Sequence, residues 1–272
     1  MKQWIPFLTG LISMAVLLGG CGRAESEKPV VYSNLTEQSI RLDLETLMHM
    51  AGIADRKRAV FFDRVDRYNE AAGPSSLTKG FSPIENRQEI PQMEPESGRG
   101  YDSRMTAFSL AEDCLLEIPE QRVFLEDPLM AEELQALAAD PSVDFSLHAF
   151  QGFYSAAAAE PELSREQKSK IWLADWESRG IVFRENPNLS LISVVRYLPE
   201  AGILYTDYAA LLFPTPDGDL WLLEKPSFGA AYQLTAFSAQ DQLCTYLLRL
   251  YGETAQRDGV WIFRDDRMLK LP

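Results

Sequence analysis

A change in hydrophobic periodicity near residue 180 is the feature that most constrains how this 272-residue chain folds. Before that point, apolar residues recur every three or four positions, as they do in amphipathic helices. After it, they form runs rich in β-branched, aromatic and leucine residues, which are typical of strands. These runs predict strands over 189–197, 203–213, 220–225 and 232–237. Helices followed by antiparallel strands predict an α+β fold, with N-terminal helices packed on a C-terminal antiparallel sheet.

Short motifs predict where some of these elements begin and turn. The Asp217-Gly218 pair predicts a hairpin turn between the second and third strands. Ser164, followed by Gln167, predicts a capping box at the start of a helix. Asp127, which precedes a proline, predicts the start of another helix.

The first 21 residues carry an export signal. Lys2 is followed by an apolar run from Trp4 to Leu18 and then by Gly19-Gly20-Cys21. A basic start, a short apolar segment and small residues are typical of a secretory signal, and the run is too short to span a bilayer stably. The order resembles the lipobox of bacterial lipoproteins. That resemblance implies that Cys21 is lipidated and that the chain is cut just before it.

This interpretation divides the chain into three parts. Residues 1–20 are the signal peptide, residues 21–31 are the lipidated Cys21 with a flexible tether, and residues 32–272 are a single α+β domain. Acyl chains such as palmitate would hold the protein on the outer face of the cell membrane, since each buried methylene contributes about 0.8 kcal/mol. The alternative, an uncleaved signal anchor, requires a longer apolar run.

The composition of the chain limits the kinds of partner and cofactor that it can bind. The formal net charge is −14, with 40 acidic and 26 basic residues, so nucleic acid is excluded as a partner because its phosphates bind clustered Lys and Arg. The chain has only two histidines, and no spacing typical of a metal or cofactor site is present, so none is predicted. An exported chain permits a disulfide between Cys114 and Cys244, whereas their apolar helix faces favour free thiols; both interpretations stay open.

Three motifs along the chain carry a family resemblance. They are Tyr-Ser-Asn-Leu at 32–35, Leu-Ile-Ser-Val-Val at 191–195, and Leu-Glu-Lys at 223–225 followed by Phe228 and Tyr232-Gln233. Together they resemble a family of uncharacterised lipoproteins from Gram-positive bacteria, over nearly all of the mature chain. That family has no assigned activity, so the resemblance implies fold and location rather than function.

A second resemblance concerns architecture. Members of that family carry Asn-Cys-Arg at the start of the third helix and a histidine at the start of a central strand, which is similar to papain-like NlpC-type cell-wall peptidases. A helix N-terminus lowers the pKa of a thiol, and an imidazole on a strand can accept its proton. Here Asp102-Ser103-Arg104 and Thr206-Asp207 occupy those places, so neither the nucleophile nor the base is retained.

The loss of both the cysteine nucleophile and the histidine base predicts a non-catalytic binding domain derived from a peptidase fold. We expect it to recognise a peptidoglycan peptide, a glycan or an envelope protein through a cleft around Ser103, Arg104, Asp207 and Glu224. By analogy with papain-like oxyanion holes, Gln233 is expected to donate a hydrogen bond into that cleft.

The alternative is a cell-wall peptide hydrolase with Ser103 as nucleophile and Asp207 or His148 as base. The structural interpretation instead makes Ser103 a helix N-cap, His148 a core residue and Glu224-Lys225 a surface ion pair. The hydrogen-bond partner of Ser103 distinguishes the hydrolase from the structural interpretation. A Ser103 hydroxyl within hydrogen-bond reach of Asp207 or His148 in a concave site favours the hydrolase, whereas one bonded to amides of its own helix opposes it.

Overall fold

The computed structural model describes residues 28–86, 100–120, 124–252 and 259–272. The predicted signal peptide, Cys21 and most of the predicted tether lie outside these residues. No helix of the described part is both long and apolar enough to cross a membrane.

Helices occupy most of the first two thirds of the described chain, and one more lies near its end. They are α1 (Gln38–Met50), α2 (Asp55–Ala72), α3 (Ser103–Leu115), α4 (Met130–Ala139), α5 (Leu147–Phe153), α6 (Arg165–Ser178) and α7 (Gln240–Tyr251). Single 3-10 turns lie at Pro74–Ser76 and Ile84–Asn86. The predicted capping box is confirmed, because Ser164 and Gln167 bond each other's backbone amides at the start of α6.

Strands dominate the last third and also appear earlier. They are β1 (Val31–Ser33), β2 (Ser82–Pro83), β3 (Leu116–Glu117), β4 (Ala157–Ala158), β5 (Val182–Phe183), β6 (Ser190–Leu198), β7 (Ile203–Pro214), β8 (Leu220–Glu224), β9 (Gln233–Phe237), β10 (Val260–Arg264) and β11 (Arg267–Met268). The four predicted strands correspond to β6, β7, β8 and β9, and the predicted Asp217-Gly218 turn joins β7 to β8.

One antiparallel sheet organises the domain. Its strand order is β11-β10-β6-β7-β8-β9-β1-β2, and β4 also pairs with β7. β3 and β5 form a separate pair. The sheet and the seven helices of the described part confirm the predicted α+β class.

The sheet has a hydrophobic core on each face. Helices α1 to α6 contribute to the larger core, which includes Phe108, Trp172 and, from the sheet, Leu211. Helix α7 covers the opposite face, where Leu247 packs with Leu212. The second core follows from strand alternation, because β6 to β8 are apolar at successive positions and therefore need cover on both faces.

The positions of Cys114 and Cys244 in the two cores argue against a disulfide between them. Cys114 packs against the larger core and Cys244 lies in the core under α7, and both thiols are free. The sheet lies between the two side chains, so a disulfide would require the backbone to move.

A β-bulge lies in the middle of β7. Val194 pairs with Tyr208 and Val195 pairs with Thr206, which leaves Asp207 as the extra residue. The bulge exchanges the faces of the strand. Leu204 lies in the larger core before it, whereas Tyr208 lies in the core under α7 after it.

Candidate functional site

Ser103 is the first residue of α3 and lies against the sheet. Asp102 caps this helix, since its side chain accepts a hydrogen bond from the amide of Met105 at 2.9 Å. Ser103 is therefore not the N-cap. Its side-chain oxygen accepts a hydrogen bond from the amide of Ala209 on β7 at 3.4 Å, and the residue is 4% exposed. Neither of the two arrangements expected for Ser103 is present, because its partner is an amide of a neighbouring strand.

The two candidate bases contact other side chains. Asp207 accepts a hydrogen bond from Arg196 at 3.0 Å, across the bulge between β6 and β7. His148 lies in α5, and its ring packs edge-on against Phe124 with centroids 5.1 Å apart. Among the described residues, neither side chain is a hydrogen-bond partner of Ser103. The structure therefore does not assemble a nucleophile with a base at this position.

Arg104 is fully buried within the larger core. One terminal nitrogen donates to Asp127 at 2.5 Å and to the carbonyl oxygen of Thr206 at 2.9 Å, and the other donates to Glu133. The guanidinium lies over the ring of Tyr154, 4.5 Å from its centroid. A fully buried side chain whose two terminal nitrogens are bonded to internal partners cannot reach a ligand at the surface. We call Asp102, Arg104, Asp127, Glu133 and Tyr154 the buried arginine cluster.

Negative charge exceeds positive charge in this cluster. Burial raises the pKa of Glu133 well above its usual value, Asp102 adds to that effect, and Arg104 opposes it. Burial works against the charged form of Arg104, but Glu133 and Asp127 outweigh it and raise the pKa of the guanidinium. The cluster therefore retains a proton on Glu133 under conditions in which an exposed glutamate is ionised.

That retained proton predicts how Glu133 affects stability. Above pH 4.5 the unfolded chain loses a proton that the folded chain keeps until Glu133 itself ionises, so this contribution to the free energy of unfolding falls as pH rises through that range, by at most about 1.4 kcal/mol per unit. Glu133→Gln should remove this decline in a series of urea unfolding curves. Glu132→Gln, the exposed neighbour on α4, is the matched control and should follow the natural chain. Parallel curves for Glu133→Gln and the natural chain would contradict the prediction.

Glu224 is buried on the other face of the sheet, under α7. Its carboxylate accepts four hydrogen bonds, from Gln233 at 2.9 Å, Thr235 at 2.7 Å, Tyr246 at 2.8 Å and Tyr208 at 2.6 Å. Four neutral donors compensate for the burial of the carboxylate. This arrangement resembles a structural network more than a binding site.

The predicted cleft is therefore divided between the two faces of the sheet. Ser103 and Arg104 lie on the side of α1 to α6, whereas Glu224 and Gln233 face α7. The sequence itself contains the signal for this separation, because neighbouring strand residues point to opposite faces. Glu224 and Lys225 can accordingly not form the ion pair that the structural interpretation proposed.

Lys225, which the sequence placed in a surface ion pair, is a buried residue. Its ammonium donates to three carbonyl oxygens of the loop that follows β8, and it lies over two tyrosine rings. The carbonyls are those of Ser227 (3.1 Å), Phe228 (3.0 Å) and Ala230 (2.5 Å), and the ring centroids are those of Tyr68 (4.7 Å) and Tyr232 (4.9 Å). Burial lowers the pKa of Lys225 to about 7, and the nearby Asp102 opposes that shift.

The candidate residues thus form separate sets, each with internal partners. Within the described ranges, no three or more His, Cys, Asp or Glu side chains are grouped so as to hold a metal ion. Residues 31–269 match a family model described as "Domain of unknown function (DUF4300)". None of the curated proteins and none of the solved structures matches the chain.

Proposed function

Because this chain belongs to the DUF4300 family, a domain of unknown function, its role has to be inferred from its own residues, and we propose that it is a binding protein rather than a hydrolase. In this proposal, Cys21 is lipidated and holds the domain on the outer face of the cell membrane. The domain is a non-catalytic relative of papain-like NlpC-type peptidases within a Gram-positive lipoprotein family.

The observation that carries the proposal is the environment of Ser103. A serine hydroxyl needs an adjacent base to become a nucleophile. The side chain of Ser103 is instead buried against β7, where it accepts a hydrogen bond from the amide of Ala209. Asp207, which occupies the place of the histidine base in the family pattern, is paired with Arg196. These contacts favour a structural role for Ser103 in joining α3 to the sheet.

Charge indicates what kind of ligand the domain favours. Its formal net charge is −14, and Arg104, one of the predicted binding residues, is enclosed by carboxylates. Complementarity of charge therefore favours a partner with free amino groups. Peptidoglycan stem peptides and basic envelope proteins have this chemistry. Since Arg104, Glu224 and Gln233 are buried, we propose that contact with the ligand is made by other, exposed residues.

The experiment combines a hydrolysis assay with a binding assay. We expect the soluble chain that begins at Gly22 to release no amino groups from purified peptidoglycan, and Ser103→Ala to behave identically in that assay and in co-sedimentation with peptidoglycan. An authentic cell-wall peptidase on the same substrate is the positive control. Release by the natural chain that disappears in Ser103→Ala would overturn the proposal and establish the alternative, a hydrolase with Ser103 as nucleophile.

A double variant tests the proposed ancestry. Ser103→Cys with Asp207→His restores the residue types of the peptidase pattern. Because Asp207 lies at a bulge and pairs with Arg196, we expect the double variant to be inactive as well. Activity in the double variant alone would show that the peptidase geometry survives, which would contradict the inference that Asp207, paired with Arg196, does not serve Ser103 as a base.

A further inference from the structure

The described chain begins at a fixed place on the domain. The ammonium of Lys28 pairs with Asp219 at 3.0 Å, in the turn between β7 and β8. The backbone oxygen of Lys28 accepts a hydrogen bond from Gln242, at the start of α7, at 2.9 Å. Three residues later the chain enters β1. We call Lys28, Gln242 and the turn at 215–219 the tether end.

The length of chain before Lys28 limits how far the domain can lie from an anchor at Cys21. Seven residue steps separate Cys21 from Lys28, and they span at most about 25 Å when fully extended. A compact domain of about 245 residues has a radius of gyration of about 18 Å and is therefore about 45 Å across. The tether is shorter than the domain that it holds.

The length of strand β7 shows how far the two ends of the domain lie from each other. From Pro214, beside the tether end, to Ile203 there are eleven residue steps, or about 35 Å at the usual rise of a strand. The turn at 199–202 precedes Ile203, so we call it the far end. For the domain to stand upright with its far end on the bilayer, the tether end would have to lie roughly 35 Å above the bilayer, which is more than the tether spans.

We propose that the tether end faces the phospholipid surface and that the far end faces away from it. The inference rests on the proposed lipidation of Cys21. Carboxylates predominate at the tether end, where Asp217 and Asp241 accompany the paired Asp219. An acidic surface gains nothing from anionic lipids. The short tether, rather than electrostatic attraction, therefore sets the orientation and leaves the far end free for a partner in the cell wall.

The test places one fluorescent label at either end of the natural lipoprotein. Asp217→Cys and Glu200→Cys are a matched pair, since both replace an exposed acidic turn residue. Each is made in a chain with Cys114→Ala and Cys244→Ala and is purified from membranes. In phosphatidylcholine vesicles that carry a headgroup acceptor dye, energy transfer from position 217 should exceed that from position 200 by about twofold or more, given the length of the tether.

Two further measurements test whether the short tether and the acylation of Cys21 set the orientation. An insertion of about 20 Gly and Ser residues between Arg23 and Ala24 should remove most of the difference, because such a linker lets the domain turn over. Equal transfer from the two positions with the natural tether, or stronger transfer from position 200, would overturn the inference. Mass measurement of the N-terminal peptide shows separately whether Cys21 is acylated. If it is not, the proposed anchor fails, and the orientation is still tested by joining a phospholipid to the amino group of Gly22.

Discussion

Replacing Arg104 by methionine is expected to lower the free energy of unfolding by about 3 to 5 kcal/mol, measured by urea unfolding at pH 7. The guanidinium is the positive partner of the fully buried Asp127, and it also donates a hydrogen bond to the buried carboxyl group of Glu133. Its removal leaves Asp127 without a countercharge and the carbonyl oxygen of Thr206 without that donor. Since domains of this kind are stable by about 5 to 15 kcal/mol, the loss is a large part of the margin.

The control for Arg104→Met is Arg184→Met. Arg184 pairs with Glu117 at 3.0 Å, with the two side chains 44% and 56% exposed. Exposed pairs contribute about 0 to 1 kcal/mol, so this variant should unfold close to the natural chain. If Arg104→Met were to cost less than about 1 kcal/mol, the cluster would not be a buried ion network of the kind described. Adding Asp127→Asn to Arg104→Met should recover part of the loss, because it removes the carboxylate that is left without a countercharge.

The fold could be predicted where local patterns determine it. Strands β6 to β9 were predicted from their composition, and the turn at 217–218 and the capping box at Ser164 were predicted from motifs with a clear geometric cause. β1 could not be predicted in the same way. It has three residues and is held between β9 and β2, so its structure depends on partners about 50 and 200 residues away. Short segments that pair over such distances leave no periodic signal in the sequence.

The site was predicted less well, for a physical reason. Arg104 was identified from its place in a motif, but motifs do not indicate burial, and the partners Asp127 and Glu133 come from another region of the chain. Asp207 was expected at the start of a central strand, whereas it is the extra residue of a bulge within β7. Strand alternation alone would have placed Glu224 and Lys225 on opposite faces of the sheet.

Lys225 leads to a pH-dependence of opposite sign to that of Glu133. Its pKa in the folded chain is about 7, against 10.5 for an exposed lysine. Between these values the unfolded chain holds a proton that the folded chain has released, so the free energy of unfolding rises with pH. The contribution is complete above pH 10.5 and is lost as pH falls towards 7. From pH 7 to 9 the natural chain should gain about 2 kcal/mol relative to Lys225→Met.

The measurement is a set of urea unfolding curves at intervals from pH 7 to 9, a range below the ionisation of tyrosine near pH 10. Lys170→Met removes an exposed ammonium and controls for the loss of one positive charge; its curve should run parallel to that of the natural chain. If Lys225→Met also ran parallel, the three carbonyl oxygens and two tyrosine rings would be compensating fully for burial of the ammonium. The ammonium of Lys225 would then stay charged from pH 7 to 9 and would hold the loop that follows β8 through its hydrogen bonds. A steeper rise in the natural chain would instead make it a group that changes charge near neutral pH at the centre of the fold.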